Sequence, residues 1–461
     1  MNMNVILLLV LIGMNFLMAL IGRIVANPHK NIILETTLPK DRLDDLQVLH
    51  VRQEYKRALL IIAGVFSVLD LLMLLISYDS IALIFMLLSL FSMIGVNYYT
   101  QVIYIRKMTT VKLKNNWMLP TKPLLVDTKL VLNKNRNMLK VYWFTPSILI
   151  SLSGTIYTLF SLKQAPGAIL FGSISLFTTA LFIFSYYLIR RLPVKPLTSD
   201  EKINQQVNDA MRYYWSLLFI LSAFVFSPLS FLPALSLVVV YDKIMILASL
   251  YFIGLFVYIG FIFVLMFRLR RTQDQLILQA SDYRYGDDDQ YWRYAMYINP
   301  NDPRIMFPDR LGMNLSVNLG RPAGKISMIV LLIVIIATLI ISSVPLLVSD
   351  FSNDPFRMAF STKEVSLSAP FSKTREIAIK DIDAVSLIDQ MPDHGIRIYG
   401  SATDHYLTGE FRINDEVAYL LVYKKETPIM KIETKDYTYY YTNKDPEKTK
   451  QEYRNLLDRL S

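Results

Sequence analysis

The chain has no cysteine among its 461 residues. That absence excludes disulfides, thiolate catalysis, a lipid-modified cysteine anchor and every cysteine-ligated metal. Histidine is almost as scarce. His29, His50, His394 and His405 are the whole set, and none stands at metal-ligand spacing from another His, Asp or Glu. A phosphate-cradling Gly-rich loop, a dinucleotide fingerprint and a nucleophile elbow are also missing. Glu54 lies beside an amphipathic stretch, but without the paired glutamates of an intramembrane metalloprotease. This inventory predicts a protein that is not an enzyme and that has no catalytic residues, no cofactor and no metal. Charge is thin as well, at 19% of residues against 53% hydrophobic, with a mean hydropathy of +0.35. A soluble globular chain does not have that balance.

What is present is a set of eight long apolar runs, near residues 5–22, 58–77, 81–104, 143–162, 166–189, 213–235, 244–267 and 326–348. A bilayer core of about 30 Å takes roughly 20 helical residues to cross. Exposed polar backbone is too costly in lipid, so the runs are predicted to be transmembrane helices. Tyr98, Tyr99, Tyr104, Tyr142, Trp143, Tyr186, Tyr187 and Tyr213 to Trp215 mark their ends as interfacial aromatics. The loops between runs alternate in charge. Loops one, three, five and seven carry 7, 9, 5 and 9 Lys and Arg, whereas loops two, four and six carry 0, 1 and 1. Basic loops stay in the cytoplasm, so the pattern predicts a multi-pass plasma-membrane protein with an extracytoplasmic amino terminus and tail. The first run lacks the basic start of a signal peptide, and its removal would put a basic loop outside, so it is read as an uncleaved span. The net charge of +10 then belongs to a surface facing anionic lipid rather than to nucleic-acid binding.

The cytoplasmic loops have structure of their own. Leu43, Leu46 and Leu49 stand at helical spacing and lead into span two. Thr198 and Glu201 stand at capping-box spacing and lead into span six. Between Lys107 and Tyr142, near-alternating apolar residues around Asn133-Lys134-Asn135-Arg136-Asn137 suggest a short hairpin. The tail 350–461 reads as a separate domain. It has seven or so short β-rich runs parted by turns such as Pro392-Asp393-His394-Gly395 and Asn414-Asp415. A helix capped by Asp445 and Pro446 follows, with Tyr453, Leu456, Leu457 and Leu460 as its apolar stripe. Antiparallel strands closed by one helix is the pattern of a pleckstrin-homology-like (PH-like) barrel. The fold class predicted is therefore an α-helical polytopic membrane protein with about eight spans and a β-rich PH-like domain at its carboxy terminus.

Loop seven, residues 268–325, contains a patterned segment: Tyr291, Trp292, Asn299, Pro300, Asp302, Pro303, Arg304, Arg310, Gly312, Asn318 and Pro322. This segment resembles a short signature of a family of bacterial multi-spanning membrane proteins with no agreed activity. The stretch from Thr36 to Arg57 resembles the first loop of the same proteins, and the tail resembles the bacterial PH-like domain that often ends them. Some relatives look like immunity proteins against secreted toxic peptides in Gram-positive bacteria, and some pair with a regulator. This sequence departs from the pattern after Gly312, where Met313-Asn314 replaces the usual aromatic.

Asp70 lies mid-span, where a charge costs about 2.5–3.5 kcal/mol on insertion scales. It is read either as a proton or cation site or as a carboxyl that holds helices together. Asn15, Asn97 and Gln101 suit interhelical hydrogen bonds. Pro228 and Pro233 break span six, as at transport sites or in a simple kink. The tyrosines and arginines of the signature suit a membrane surface or partner better than a nucleic acid. Asp287-Asp288-Asp289 reads as a solvated loop rather than a metal site. The Gly395–Ile413 stretch, with turns expected at Gly400 and Gly409, is the candidate ligand surface. The functional expectation is a protein that senses an envelope component or secreted peptide. A secondary transporter using Asp70 and a membrane scaffold are the alternatives.

Overall fold

The structure is a computed structural model. It describes the chain except for residues 1–2, 121–127, 162–167, 195, 239–240, 281, 283–287, 311, 313–314, 371–373, 393–395, 404, 414–415, 436 and 461. Among the described residues, eight helices are long and apolar enough to cross a membrane, and they fall on the eight apolar runs. The first is α1 (Met3–Gly22). A tight hairpin of β1 (Ile32–Ile33) and β2 (Thr36–Thr37) follows. Then come α2 (Leu46–Leu69), continued by a 3-10 turn over Asp70–Leu75, and α3 (Asp79–Lys114). The short α4 (Thr128–Asn133) precedes α5 (Thr145–Ser161) and α6 (Ala168–Arg191). Span six is α7 (Glu201–Phe226), a 3-10 turn over Ser227–Phe231, and α8 (Leu232–Val238). The long α9 (Tyr241–Leu278) leads to the signature, which holds α10 (Asp289–Trp292), β3 (Met306–Pro308) and β4 (Leu315–Val317). The last span is α11 (Pro322–Phe351).

Several local expectations need correction. The hairpin expected between Lys107 and Tyr142 is not formed by its described half, which is helical at α4 and then turns; residues 121–127 lie outside the described set. That half docks on α7 instead. Asn208 Nδ2 donates to Lys134 O, and the Leu139 N–H donates to Ser216 Oγ. Its backbone polar groups are answered by side chains, so it needs no strand partner. The helix into span six is unbroken, but its cap is Asp200, not Thr198. The Asp200 carboxylate accepts from both the Lys202 and Ile203 N–H groups, while Thr198 Oγ1 accepts from Asp200 N–H. The helix into span two starts at Leu46, with Asp45 accepting from Gln47 N–H, so Leu43 stands outside it.

The helices form two bodies. In one, α1, α2, α3 and α11 pack together. In the other, α5, α6, α7, α8 and α9 pack together. Among the described residues, every extensive helix–helix contact lies within one set or the other. The buried clusters respect the same division. Ala19, Val51, Tyr55, Leu59, Met93 and Met108 make one, with the hairpin residues Ile33, Leu34 and Leu38 inserted under it. Phe144, Tyr186, Trp215, Phe219, Leu265 and Leu269 make the other.

The Pro228 break is plugged by hydroxyls. Pro228 has no N–H to give to Phe224 O, and Ser227 Oγ donates there instead at 2.8 Å. Ser175 donates to Ser227 O, Thr158 to Ser230 O and Tyr251 to Val225 O. Gly154 of α5 admits the turn, since a Cβ there would stand 2.0 Å from Ser230 Oγ. Arg212, fully buried, caps α6 by donating to the carbonyls of Ile189 and Leu192.

Among its described residues the tail forms nine strands rather than seven. β5 (Arg357–Phe360), β6 (Glu364–Ser368) and β7 (Arg375–Ala378) make a three-stranded antiparallel sheet. The strands β8 (Ile382–Ile388), β9 (Ile396–Ala402), β10 (Tyr406–Ile413), β11 (Glu416–Tyr423), β12 (Ile429–Thr434) and β13 (Thr438–Tyr441) make a second sheet in the order β8-β12-β13-β11-β10-β9. The β11–β13 pair is parallel, against the all-antiparallel expectation. The terminal helix α12 (Pro446–Leu460) is capped by Asp445 and adds Leu456 to a core of Phe356, Val365, Leu367, Tyr406, Leu421, Met430 and Tyr441. The turns expected at 393–395 and 414–415 lie outside the described residues.

Candidate functional site

The signature splits into two parts with different work. Residues 297–322 tie a knot on Asn318, which is fully buried. Asn318 Oδ1 accepts from the N–H groups of Asn299 and Gly320, and Nδ2 donates to the carbonyls of Asn299, Asp302 and Arg304. Asn299 Oδ1 accepts from Asn301 N–H, and Tyr297 OH links Asn299 to Asp302. Arg304 donates to both Asp302 oxygens, at 2.9 and 3.1 Å, and holds that carboxyl down at about 2. Pro300 and Pro303 sit exposed on the outside and stiffen the turn. Pro322 opens α11 directly from the knot. Five of these residues (Asn299, Asp302, Arg304, Asn318 and Pro322) therefore read as architecture.

Arg310 leaves the knot and enters the first loop. Its guanidinium lies 5.8 Å over the Trp292 ring, donates to Glu35 O, and pairs with Asp288 and with Asp289 Oδ1 at 2.7 Å. Asp289 also takes Lys112 Nζ at 2.7 Å, Thr37 N–H at 3.1 Å and Thr37 Oγ1 at 2.8 Å. Arg310, Lys112 and Thr37 are buried, Asp289 nearly so and Asp288 partly, and both carboxylates are paired, which corrects the solvated-loop reading of Asp288 and Asp289; Asp287 lies outside the described residues. Burial opposes the charge on Asp289, but Arg310 and Lys112 outweigh it and keep its pKa below the ordinary carboxylate range. Burial also opposes the charge on Arg310, and Asp288, Asp289 and Glu35 outweigh it in turn. Glu35 itself is buried, and its carboxyl is pushed up to about 7 by burial, with Arg310 only partly offsetting this. Glu35 sits at the tip of the β1–β2 hairpin, where Leu34 and Glu35 both hold left-handed backbone, φ 47° and 54°.

A second junction adjoins the first. Asp274 of α9 accepts from Lys30 N–H at 2.9 Å and faces His29 Nδ1 at 3.0 Å. Burial pushes His29 down to about 4, so the ring is neutral and this contact is a hydrogen bond, not an ion pair. The proton then belongs on Nδ1, which leaves Nε2 an acceptor. Gly312 (φ +71°) packs against that edge: a Cβ would stand 2.7 Å from His29 Nε2 and 3.5 Å from Gln273 Oε1. This is why the signature needs glycine there. The altered pair Met313-Asn314 lies outside the described residues. Glu35, Thr37, Lys112, His29 and Asp274 were missed as site residues, since nothing in their local spacing marks them.

Asp70 is buried at the meeting of three helices. Asn15 Nδ2 of α1 donates to Asp70 Oδ2 at 2.7 Å, and Ser89 Oγ of α3 donates to Asp70 Oδ1. Both carboxyl oxygens thus serve a clasp. Asn97, expected to bond between helices, has neither amide atom partnered among the described residues.

The β domain sits on the opposite ends of α3 and α11. His405 Nδ1 faces Asp79 Oδ2 at 2.8 Å, Tyr423 OH donates to Ser349 O at 3.1 Å, and Lys444 Nζ donates to Asp350 O and Ser352 O, each at 2.8 Å. Asp350 in turn accepts from Ser80 N–H. The stretch taken as a ligand surface is the β9–β10 hairpin, and its His405 turn rests on α3. Gly400 and Gly409 are not turn residues but face each other across the strands, where a Cβ on Gly400 would stand 1.8 Å from Thr408 O.

Residues 357–457 match the bacterial PH domain family. The tail is a bacterial PH domain. No curated protein and no solved structure shows a significant match to the chain.

Proposed function

We propose that this is a non-catalytic protein of the bacterial cell membrane that couples its two faces. The PH domain, outside, binds an envelope component or secreted peptide, and α3 and α11 carry its state to the signature inside. One observation carries the reading: both helices have one end on the PH domain and the other on the signature. At one end are Asp79 and Asp350. At the other, Tyr98 OH donates to Tyr294 O, Lys112 pairs with Asp289, and Pro322 leaves the knot. At 1.5 Å per residue, α3 is about 54 Å long, enough to span the bilayer and project beyond it. The basic loops support the orientation. The Asp70 clasp gives both oxygens to protein donors, so the geometry does not favour a transporter.

Two measurements test this. Trypsin added to intact cells should cut the tail, which has sites from Arg357 to Arg459; cleavage only after lysis refutes the orientation. The chain has no cysteine, so a single spin label at exposed Asn301 reports the knot alone. Combining Tyr423→Phe with Lys444→Met should loosen the PH contact and change the label's mobility. An unchanged spectrum refutes the coupling.

A further inference from the structure

Among the described residues, the two helical bodies share no buried cluster. What joins them sits at their ends. On the PH side, β9 rests on α8. On the basic side, the joint is small and polar. The Asp274 carboxylate of α9 grips the Lys30 N–H and the His29 ring, and Arg270 Nη2 reaches Asn27 O at 3.3 Å. Gly312 is wedged at the same place, between His29 of one body and Gln273 of the other. Leu315, three residues on, packs on the second body's core, while Arg310, two residues back, is locked into the first. The signature thus crosses the seam between the bodies.

We propose that the membrane region is two bodies that pivot on one another, with Asp274 as the pin that locks them on the basic face. Three features favour a joint over a fixed interface. First, among the described residues the contact on the basic face is a handful of hydrogen bonds at a helix end, with no extensive helix–helix packing between the bodies to resist separation. Second, the closed joint leaves two buried acceptors, His29 Nε2 and Gln273 Oε1, without partners among the described residues. A buried polar atom without a partner carries a desolvation cost, so the closed arrangement is held against a local penalty that opening relieves. Third, the element that crosses the seam is anchored to a different body on each side of Gly312, by Arg310 and by Leu315, so displacement concentrates between those two anchors. The proposal stands on this geometry and does not depend on what the PH domain binds.

The test measures distances between the bodies by double electron–electron resonance in lipid nanodiscs. Exposed Tyr99 on α3 and Phe177 on α6 (66% and 65% accessible) are replaced by labelled cysteines. Control pairs lie within one body: Tyr99 with Val65, and Phe177 with Val257. Asp274→Ala should broaden the Tyr99–Phe177 distribution or add a second, longer population, with both controls unmoved. Asp274→Asn, which still accepts from Lys30 N–H, should fall between. A Tyr99–Phe177 distribution in Asp274→Ala that superimposes on the wild type overturns the proposal. Should Asp274→Ala disturb the controls, Asp274→Asn decides: a wild-type distribution there overturns the pin equally.

Discussion

Asp289 and Thr37 lie 252 positions apart, yet the Thr37 backbone N–H and hydroxyl both donate to the Asp289 carboxylate. The same carboxylate takes Lys112 and Arg310. The first loop, the Lys112 end of α3 and the signature are thereby joined by one side chain.

Arg310→Met should be severely destabilising. It leaves Asp289 with Lys112, but strips Asp288 and the Glu35 carbonyl of a buried donor. Removing one partner of a buried pair costs roughly 3–5 kcal/mol. Thermal unfolding in detergent should show the loss, and limited proteolysis should show new cutting in the first loop. Arg304→Met removes an exposed partner from Asp302 and should cost much less, about 1 kcal/mol.

Glu35 and His29 give opposite pH dependences. The folded Glu35 carboxyl, at about 7 against an ordinary 4.5, keeps a proton that the unfolded chain releases. Its contribution is therefore present below pH 4.5 and is lost as pH rises to 7, by about 3 kcal/mol at most. Folded His29, at about 4 against 6.5, refuses a proton that the unfolded chain accepts. Its contribution is present above 6.5 and is lost as pH falls toward 4. Between pH 4.5 and 6.5 the Glu35 loss offsets the His29 gain, so Glu35→Gln should steepen the rise in Tm across that range and leave a plain acid-side decline. A wild-type profile in that variant would show that Glu35 is not the group.

Asp70→Asn should insert, fold and lose about 1 kcal/mol, since Asn keeps one acceptor for the clasp. Asp70→Leu should lose more, because Asn15 Nδ2 and Ser89 Oγ then face an apolar group. If Asp70→Asn instead abolishes a proton-dependent flux in vesicles while stability is unchanged, the carboxyl is a coupling site and the clasp is incidental.

Gly154→Ala and Gly320→Ala should each cost about 1–3 kcal/mol by overpacking. The first would drive a methyl into Ser230, and the second would place it 2.4 Å from the Asn299 carbonyl carbon. Gly64→Ala and Gly254→Ala meet nothing within 4 Å and serve as controls; neither should lower the melting temperature.

The spans were legible because lipid leaves the backbone only one solution, and the tail because short β-rich runs between turn residues have few others. The Asp445 cap was legible for the same local reason. The 128–133 segment was misread because a run that short satisfies two periods equally, and its partner on α7 decided between them. The joint at His29, Glu35, Asp274 and Asp289 had no local sign at all. Its members are far apart in the chain. The left-handed residues Lys30, Asn31, Leu34 and Glu35 include no glycine, and only Asn31 is a type that favours that conformation. Signature residues that looked alike as a motif separate once placed: Asn318 and Asp302 build the turn, while Arg310 and Gly312 reach other parts of the molecule.

Helix α11 runs as one helix, with Pro345 inside it, from the Asn318 knot at Pro322 to Phe351, and only Ser352–Pro355 separate it from buried Phe356 of the PH domain. Lys444 bridges even that short link by holding the carbonyls of both Asp350 and Ser352. A domain mounted in this way has no swivel. Any twist about the membrane normal is delivered as torque along a single shaft to Pro322, where the Asn318 bonds must either turn as a block or shear.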